Sequence, residues 1–201
     1  MKILHLLAGN LGVNVYFLIN EENKALIIDA GDNYSQIKAV AEQHNLTVTD
    51  CVLTHGHFDH SGACAKLQKD GVKIHISSLD ADKLTGNGNL ALSLGFSFEN
   101  LKADSVFEDG DVLDINGFKL KVMLTPGHSK GSVCLFCDDV IFSGDTLFFE
   151  GIGRTDFYDG DYLEMKSSLQ KLLSLEKNYL VYPGHGRATN IEHEKKYNPY
   201  L

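Results

Sequence analysis

Short apolar runs alternate with amphipathic stretches along the whole chain, without a low-complexity segment or a Pro-rich linker. That alternation predicts one compact α/β unit over residues 1–201. The first nine residues read as a strand. Val13 to Ile19 and Ala25 to Ile28 are rich in β-branched and aliphatic residues and flank the polar turn Asn20 to Lys24, so they predict an antiparallel pair. After Asp29-Ala30-Gly31, the apolar positions Ile37, Val40 and Ala41 fall at helical spacing, with Asp32 or Asn33 available as N-cap. Cys51 to Leu53 returns as a strand, and Lys73 to Ile76 as another.

A second group of strands occupies the later half. Val112 to Ile115 and Phe118 to Val122 flank Asn116-Gly117, a dipeptide suited to a type I′ hairpin because both residues tolerate positive φ. Ser132 to Phe136, Val140 to Phe142 and Tyr179 to Tyr182 predict further strands. Between the last two, Asp161-Tyr162-Leu163-Glu164 reads as a capping box opening a helix whose stripe of Tyr162, Met165, Leu169, Leu172 and Leu173 faces a core.

Charge narrows the partners. Eighteen Lys and Arg against 27 Asp and Glu give a net charge of -9, which repels a phosphate backbone and argues against nucleic acid. The apolar run at the N-terminus is too short for a secretory signal or a membrane span, so a soluble, cytoplasmic protein is the expectation. The four cysteines agree with it. Cys134 and Cys137 lie in one predicted strand, where an offset of three sends side chains to opposite faces, so they are expected to be buried free thiols.

Chemistry concentrates in four places. Residues 54–62 read Thr-His-Gly-His-Phe-Asp-His-Ser-Gly and put four potential metal ligands, His55, His57, Asp59 and His60, into six positions. Crowded imidazoles and a carboxylate each demand hydrogen bonds or solvent, whereas a divalent cation satisfies all of them and offsets their desolvation. Three further strands run into Pro126-Gly127-His128, Ser143-Gly144-Asp145 and Pro183-Gly184-His185; two of the chain's three prolines sit in Pro-Gly-His. Proline stops the strand and glycine permits a sharp turn, which presents each ligand from a loop. Five histidines and two aspartates divide into two metal sites. A ligand set of nitrogen and oxygen without thiolate suits Zn²⁺ best, and Fe or Mn accept the same types. A structural site is the alternative, but structural zinc is closed and tetrahedral and does not call for seven ligands. His5, His44, His75 and His193 read as ordinary hydrogen-bonded or exposed histidines.

These stretches, with Leu26 to Gly31, Thr125 to Ser129, Ser143 to Phe148, Gly153 to Asp156 and Pro183 to Gly186, resemble the metallo-β-lactamase fold hydrolases, and among them the short form of the glyoxalase II (hydroxyacylglutathione hydrolase) group. The resemblance covers essentially the full length. It implies an αββα sandwich of two mixed β-sheets with outer helices. It also implies that His55, His57 and His128 hold one metal, that Asp59, His60 and His185 hold a second, and that Asp145 bridges both. Asp29 is implied to orient a ligand histidine, and Asp59 to orient a hydroxide bridging the metals. The implied activity is hydrolysis of a small-molecule thioester of the 2-hydroxyacyl-glutathione type. This chain ends at Asn198-Pro199-Tyr200-Leu201, where full-length members of that group continue into a helical extension that contacts glutathione. Arg154, Lys195, Lys196 and Tyr197 are the candidates left for that contact. Relatives within the fold define two rivals, a mononuclear-iron persulfide dioxygenase on His55, His128 and Asp145, and a lactonase. The best-known β-lactamases place Cys where this chain has Asp145, which ranks that activity lower.

Overall fold

The computed structural model describes all 201 residues. Its first sheet contains β1 (Lys2–Ala8), β2 (Val13–Ile19), β3 (Lys24–Ile28), β4 (Thr47–Val52), β5 (Lys73–Ser77) and β6 (Ser105–Phe107), in that spatial order. The pairings are antiparallel through β3 and parallel beyond it. The second sheet begins with β7 (Val112–Ile115), β8 (Phe118–Leu124), β9 (Val133–Cys137) and β10 (Val140–Gly144). A small hairpin, β11 (Leu147–Phe148) with β12 (Gly151–Ile152), stands apart, and β13 (Leu180–Pro183) and β14 (Thr189–Asn190) complete the second sheet beside β10.

The burial pattern explains why the sheets stack. Along β2, Val13, Val15, Phe17 and Ile19 face one side while Tyr16 and Leu18 face the other, and every position is buried. A strand apolar on both faces must be covered twice. The outer cover is α1 (Tyr34–Gln43), with Ile37, and α3 (Cys64–Lys69), with Cys64, Ala65 and Leu67; a single helical turn, α2 (Phe58–Ser61), precedes α3. The inner cover is the second sheet, whose Leu120, Val122, Leu135 and Phe142 meet Leu18, Leu26 and Ile28 between the sheets. On the far side, Ile141 and Val181 pack under α4 (Tyr162–Leu173), through Met165, Leu169 and Leu172, and under Ile191 of α5 (Ile191–Tyr197). The architecture is the αββα sandwich of two mixed sheets that the resemblance implies. No helix is long and apolar enough to cross a membrane.

Local expectations resolve in instructive ways. Asn116 and Gly117 have φ of 55° and 85°, the signs a type I′ turn requires, and Val112↔Lys121 to Ile115↔Phe118 pair around them. Asn33, not Asp32, caps α1 by accepting from the Gln36 N–H. Asp161 accepts from the N–H groups of Leu163 and Glu164, but the reciprocal half of the capping box is absent because the Asp161 N–H donates to the Gly127 carbonyl. That bond ties α4 to the loop carrying His128. The charged segment around His193 is helical, and its signals were present: Asn190 accepts from the His193 N–H, with Glu192 and Glu194 in the first turn and Lys195 and Lys196 in the last. All four cysteines are free and buried. Cys134 packs beneath α4 and Cys137 lies between the sheets, on opposite faces of β9. Cys51 and Cys64 meet in the outer core, where the neighbouring thiol and burial push the Cys51 thiol well up and leave it unreactive.

Candidate metal centre

Five strands running the same way toward one rim deliver the polar residues. β8, β10 and β13 share a direction because β9 is antiparallel to both β8 and β10, and β13 is parallel to β10. Their C-terminal ends are followed by His128, Asp145 and His185, while β3 and β4 end just before Asp29 and the Thr54–His60 stretch. A crevice outside the carboxyl ends of strands is where open α/β sheets assemble sites. The two halves of the rim are joined by backbone: the Val133 N–H donates to the Thr54 carbonyl at 2.9 Å, and the Asn14 N–H to the Gly184 carbonyl at 2.7 Å.

The seven expected residues converge. Three groups each place their potential ligand atoms within 4.8 Å of one another: His55, His57 and His128; His55, His60 and Asp145; and Asp59, His60 and His185. Asp145 spans them, with Oδ1 at 3.4 Å from His60 Nε2 and Oδ2 at 3.5 Å from His128 Nε2 and 3.7 Å from His185 Nε2. Asp59 Oδ2 lies 3.3 Å from His185 Nε2. His57 Nδ1 and His128 Nε2 face each other at 2.9 Å. Asp145 is buried, as are His55, His57, His60 and His128, while His185 is half-buried.

Whether this cluster fits a cation can be judged from its own atoms. The buried His55 Nε2, His57 Nε2 and Asp145 Oδ1 have no hydrogen-bond partner, in a molecule whose other buried side-chain nitrogens and oxygens are paired. Protonation of two of the histidines points the same way. Burial, and then the charge of neighbouring imidazoles, pushes His55 well down and His57 down to about 3, the lone-pair form that a metal needs. At His60 burial opposes, but Asp145, Asp59 and Asp29 outweigh it and hold the imidazole up. Burial likewise opposes ionisation of Asp145 and Asp59, yet His60 and its neighbours keep both carboxyls below the usual range. Buried carboxylates facing a ring of imidazole nitrogens are a donor set for two cations.

Outer partners orient the rings. His60 Nδ1 lies 2.9 Å from Asp29 Oδ2; the same carboxylate accepts from the Thr54 N–H and Oγ1, each at 2.8 Å. His128 Nδ1 donates to the Arg154 carbonyl at 2.8 Å, so Nε2 is free to face the centre. Arg154 takes part through its backbone as well as lining the cleft above the cluster. Its main chain holds His128, while its exposed guanidinium makes two bonds of 2.8 Å to Asp156 and lies 4.3 Å over the Phe157 ring.

A cleft of about 490 Å³ opens above the cluster. Its apolar wall is Leu11, Phe58, Leu90, Leu94, Phe148, Ile152 and Phe157, none of which the sequence marked as lining a cleft. They come from α2, the β11–β12 hairpin and separate loops, with no common period, so no pattern signals them. Lys195, Lys196 and Tyr197 do not line it; they lie on α5, where Lys195 donates to the Leu175 carbonyl.

Similarity to known proteins agrees with this geometry. YqgX of Bacillus subtilis (strain 168), a probable metallo-hydrolase, is 35% identical over 210 residues, covering 100% of this chain and 98% of its own. The hydroxyacylglutathione hydrolase GloC of Haemophilus influenzae is 36% identical over 196 residues, covering 94% and 92%. Among solved structures, the BLEG-1 B3 metallo-beta-lactamase superposes with a TM-score of 0.94 at 31% identity, covering 100% and 99%. TTHA1623 in a di-iron-bound form superposes with a TM-score of 0.89 at 32% identity, covering 98% and 100%. Residues 8–185 match the model of the metallo-beta-lactamase superfamily, and the chain belongs to that superfamily as a metal-dependent hydrolase with a di-metal type of site.

Proposed function

We propose that the protein is a thioesterase acting on a small acylated thiol of the 2-hydroxyacyl-glutathione type. In this reading His55, His57 and His128 hold one cation, Asp59, His60 and His185 the other, and Asp145 reaches both. Zn²⁺ is the first choice, and the di-iron relative makes iron the second. Bound there, divalent cations supply Lewis acidity and lower the pKa of a coordinated water toward neutrality.

The observation that carries the reading is what the cleft lacks. Outside the seven clustered residues, Arg154 is its one charged lining side chain, and a guanidinium is too weak an acid to protonate a leaving group. An amine or alkoxide needs that proton, whereas a thiolate departs without it. Asp59, within reach of His60 and His185, is suited to orient an attacking water. Asp29 and the Arg154 carbonyl keep His60 and His128 in the tautomer that presents Nε2 to the centre. The apolar wall excludes water from the acyl group, and the Arg154 guanidinium at the rim is the one cation able to meet a carboxylate of the thiol. Resemblance to GloC supports glutathione as that thiol.

The test is a panel assayed on protein reloaded separately with Zn²⁺, Fe²⁺ and Mn²⁺, comprising 2-hydroxyacyl-glutathione and simpler acyl thioesters, lactones, β-lactams and a persulfide with oxygen uptake. Thioester cleavage well above lactone and β-lactam cleavage is expected. A thioester left intact by every metal form would overturn the reading. Similarity to BLEG-1 makes a β-lactam the second reading, despite Asp145, and cleavage of that arm alone would select it.

A further inference from the structure

Asp80 is fully buried just before the short 3₁₀ turn Ala81–Thr85, far in sequence from every residue of the metal cluster. Its carboxylate accepts four hydrogen bonds. Oδ2 takes the Gly56 N–H at 2.9 Å and Ser129 Oγ at 2.8 Å; Oδ1 takes the Gly131 N–H at 2.8 Å and Lys83 Nζ at 2.9 Å. Both oxygens are thus saturated. Gly56 sits between His55 and His57, and Ser129 follows His128. One side chain therefore joins the two segments that carry these three histidines. Both glycines are pressed against this hub: a Cβ at Gly56 would come 2.6 Å from Lys83 Cβ, and one at Gly131 2.6 Å from Asp80 Oδ1.

The hub extends to the other side of His128. Lys83 Nζ also contacts Asp159 Oδ2 at 2.5 Å, in the loop whose Arg154 carbonyl accepts from His128 Nδ1. Lys83 is buried, and its ammonium keeps the Asp80 charge compensated. None of these bonds reaches the remaining ligand segments. His60 is held by Asp29, and the His185 loop by Asn14 Nδ2, which donates to the Pro183 and Gly186 carbonyls, and by the Tyr16 hydroxyl on Pro183.

We propose that Asp80 is a positioning residue that sets the mutual placement of His55, His57 and His128, and with it the affinity of that cation position separately from the other. The inference rests on the two-cation reading above. It is tested on metal-free full-length protein by equilibrium dialysis against Zn²⁺ with a competing chelator, with melting temperature recorded in parallel. Wild type should bind in two steps. Asp80→Asn, which exchanges two acceptor sites for donors, should weaken one step by about 10- to 100-fold and leave the other within about twofold. Ser129→Ala removes one of the four donors and should weaken the same step to a smaller degree. Asp29→Asn should weaken the other step more than this one, since its carboxylate holds His60 directly and reaches His55 only through Thr54.

Loss shared equally by both steps in Asp80→Asn, or no loss, overturns the proposal, because a carboxylate that only supports the fold would act on both sites alike. If Asp80→Asn does not fold, Ser129→Ala decides by the same criterion. A wild type that binds a single Zn²⁺ would overturn the two-cation reading instead. Asp80 would then be supported if Asp80→Asn weakens that step more than Asp29→Asn does, and overturned by any other pattern.

Discussion

Asp29 Oδ2 and His60 Nδ1 lie 2.9 Å apart, both buried, with Asp29 held in the left-handed region at φ 55° so that its carboxylate also receives the Thr54 N–H and hydroxyl. Three donors on one carboxylate lock the His60 ring with Nε2 toward Asp145 and His185. Asp29→Asn replaces an acceptor-only group by an amide that cannot serve all three. The expected result is a metal affinity lowered about 10- to 100-fold, read by chelator competition. An unchanged affinity would mean that the bond is not what orients His60.

Gly184 is where the ligand cluster leaves no room. A Cβ there would stand 2.3 Å from Asp145 Oδ1 and 2.6 Å from His60 Cε1. Gly184→Ala should therefore push those side chains apart and cost about 100-fold in turnover, the effect of roughly an ångström of misplacement. The metal-free melting temperature should fall much less, since the residue lies at the rim and outside the apolar core. Steady-state kinetics with calorimetry distinguishes the two effects.

Asp145→Ala removes the one carboxylate that spans the His128 and His60–His185 groups. Bound metal is expected to fall from about two ions per chain to about one or fewer, and activity with it. Folding should survive, because the surrounding imidazoles lose a charged neighbour but gain freedom to take the neutral form. Elemental analysis beside circular dichroism checks this; full activity in the variant would sink the assignment of Asp145 to both cations.

Away from the centre, Asp50 Oδ1 on β4 bonds His75 Nε2 on β5 at 2.8 Å. Burial raises the Asp50 carboxyl, but the bond and charge of His75, with Thr49 and Lys73, outweigh it and hold the group below its ordinary value. A carboxyl depressed in the folded state stabilises above its unfolded pKa, and that contribution disappears as pH falls through the folded value. Urea melts of metal-free protein should then show wild type more stable than Asp50→Asn at about pH 5 to 6, with the gap closing below about pH 4. A gap that widens toward acid would reverse the sign and refute the pair's role.

Much of this protein was determined by order along the chain. Uninterrupted apolar runs along β2 and β3, positive φ at Asn116-Gly117 and strand-ending Pro-Gly pairs are local effects of backbone sterics and patterning, so residues 54–62, His128, Asp145 and His185 could be read as metal ligands on loops before any tertiary contact was known. The same local logic put Cys134 and Cys137 on opposite faces of β9.

What only the tertiary structure decided are choices in which many similar residues compete and distance in space selects among them. Asp80 stands among Ser77, Ser78 and Asp82 with no local mark, and becomes a hub only because β5 delivers it beside Gly56 and Gly131. Arg154 supplies its carbonyl to His128 while its guanidinium pairs with Asp156, since a backbone acceptor is set by the path of the loop and not by residue type. The apolar wall of the cleft comes from α2, the β11–β12 hairpin and separate loops joined by no period, which is why the metal chemistry was legible in the sequence and the shape that receives the substrate was not.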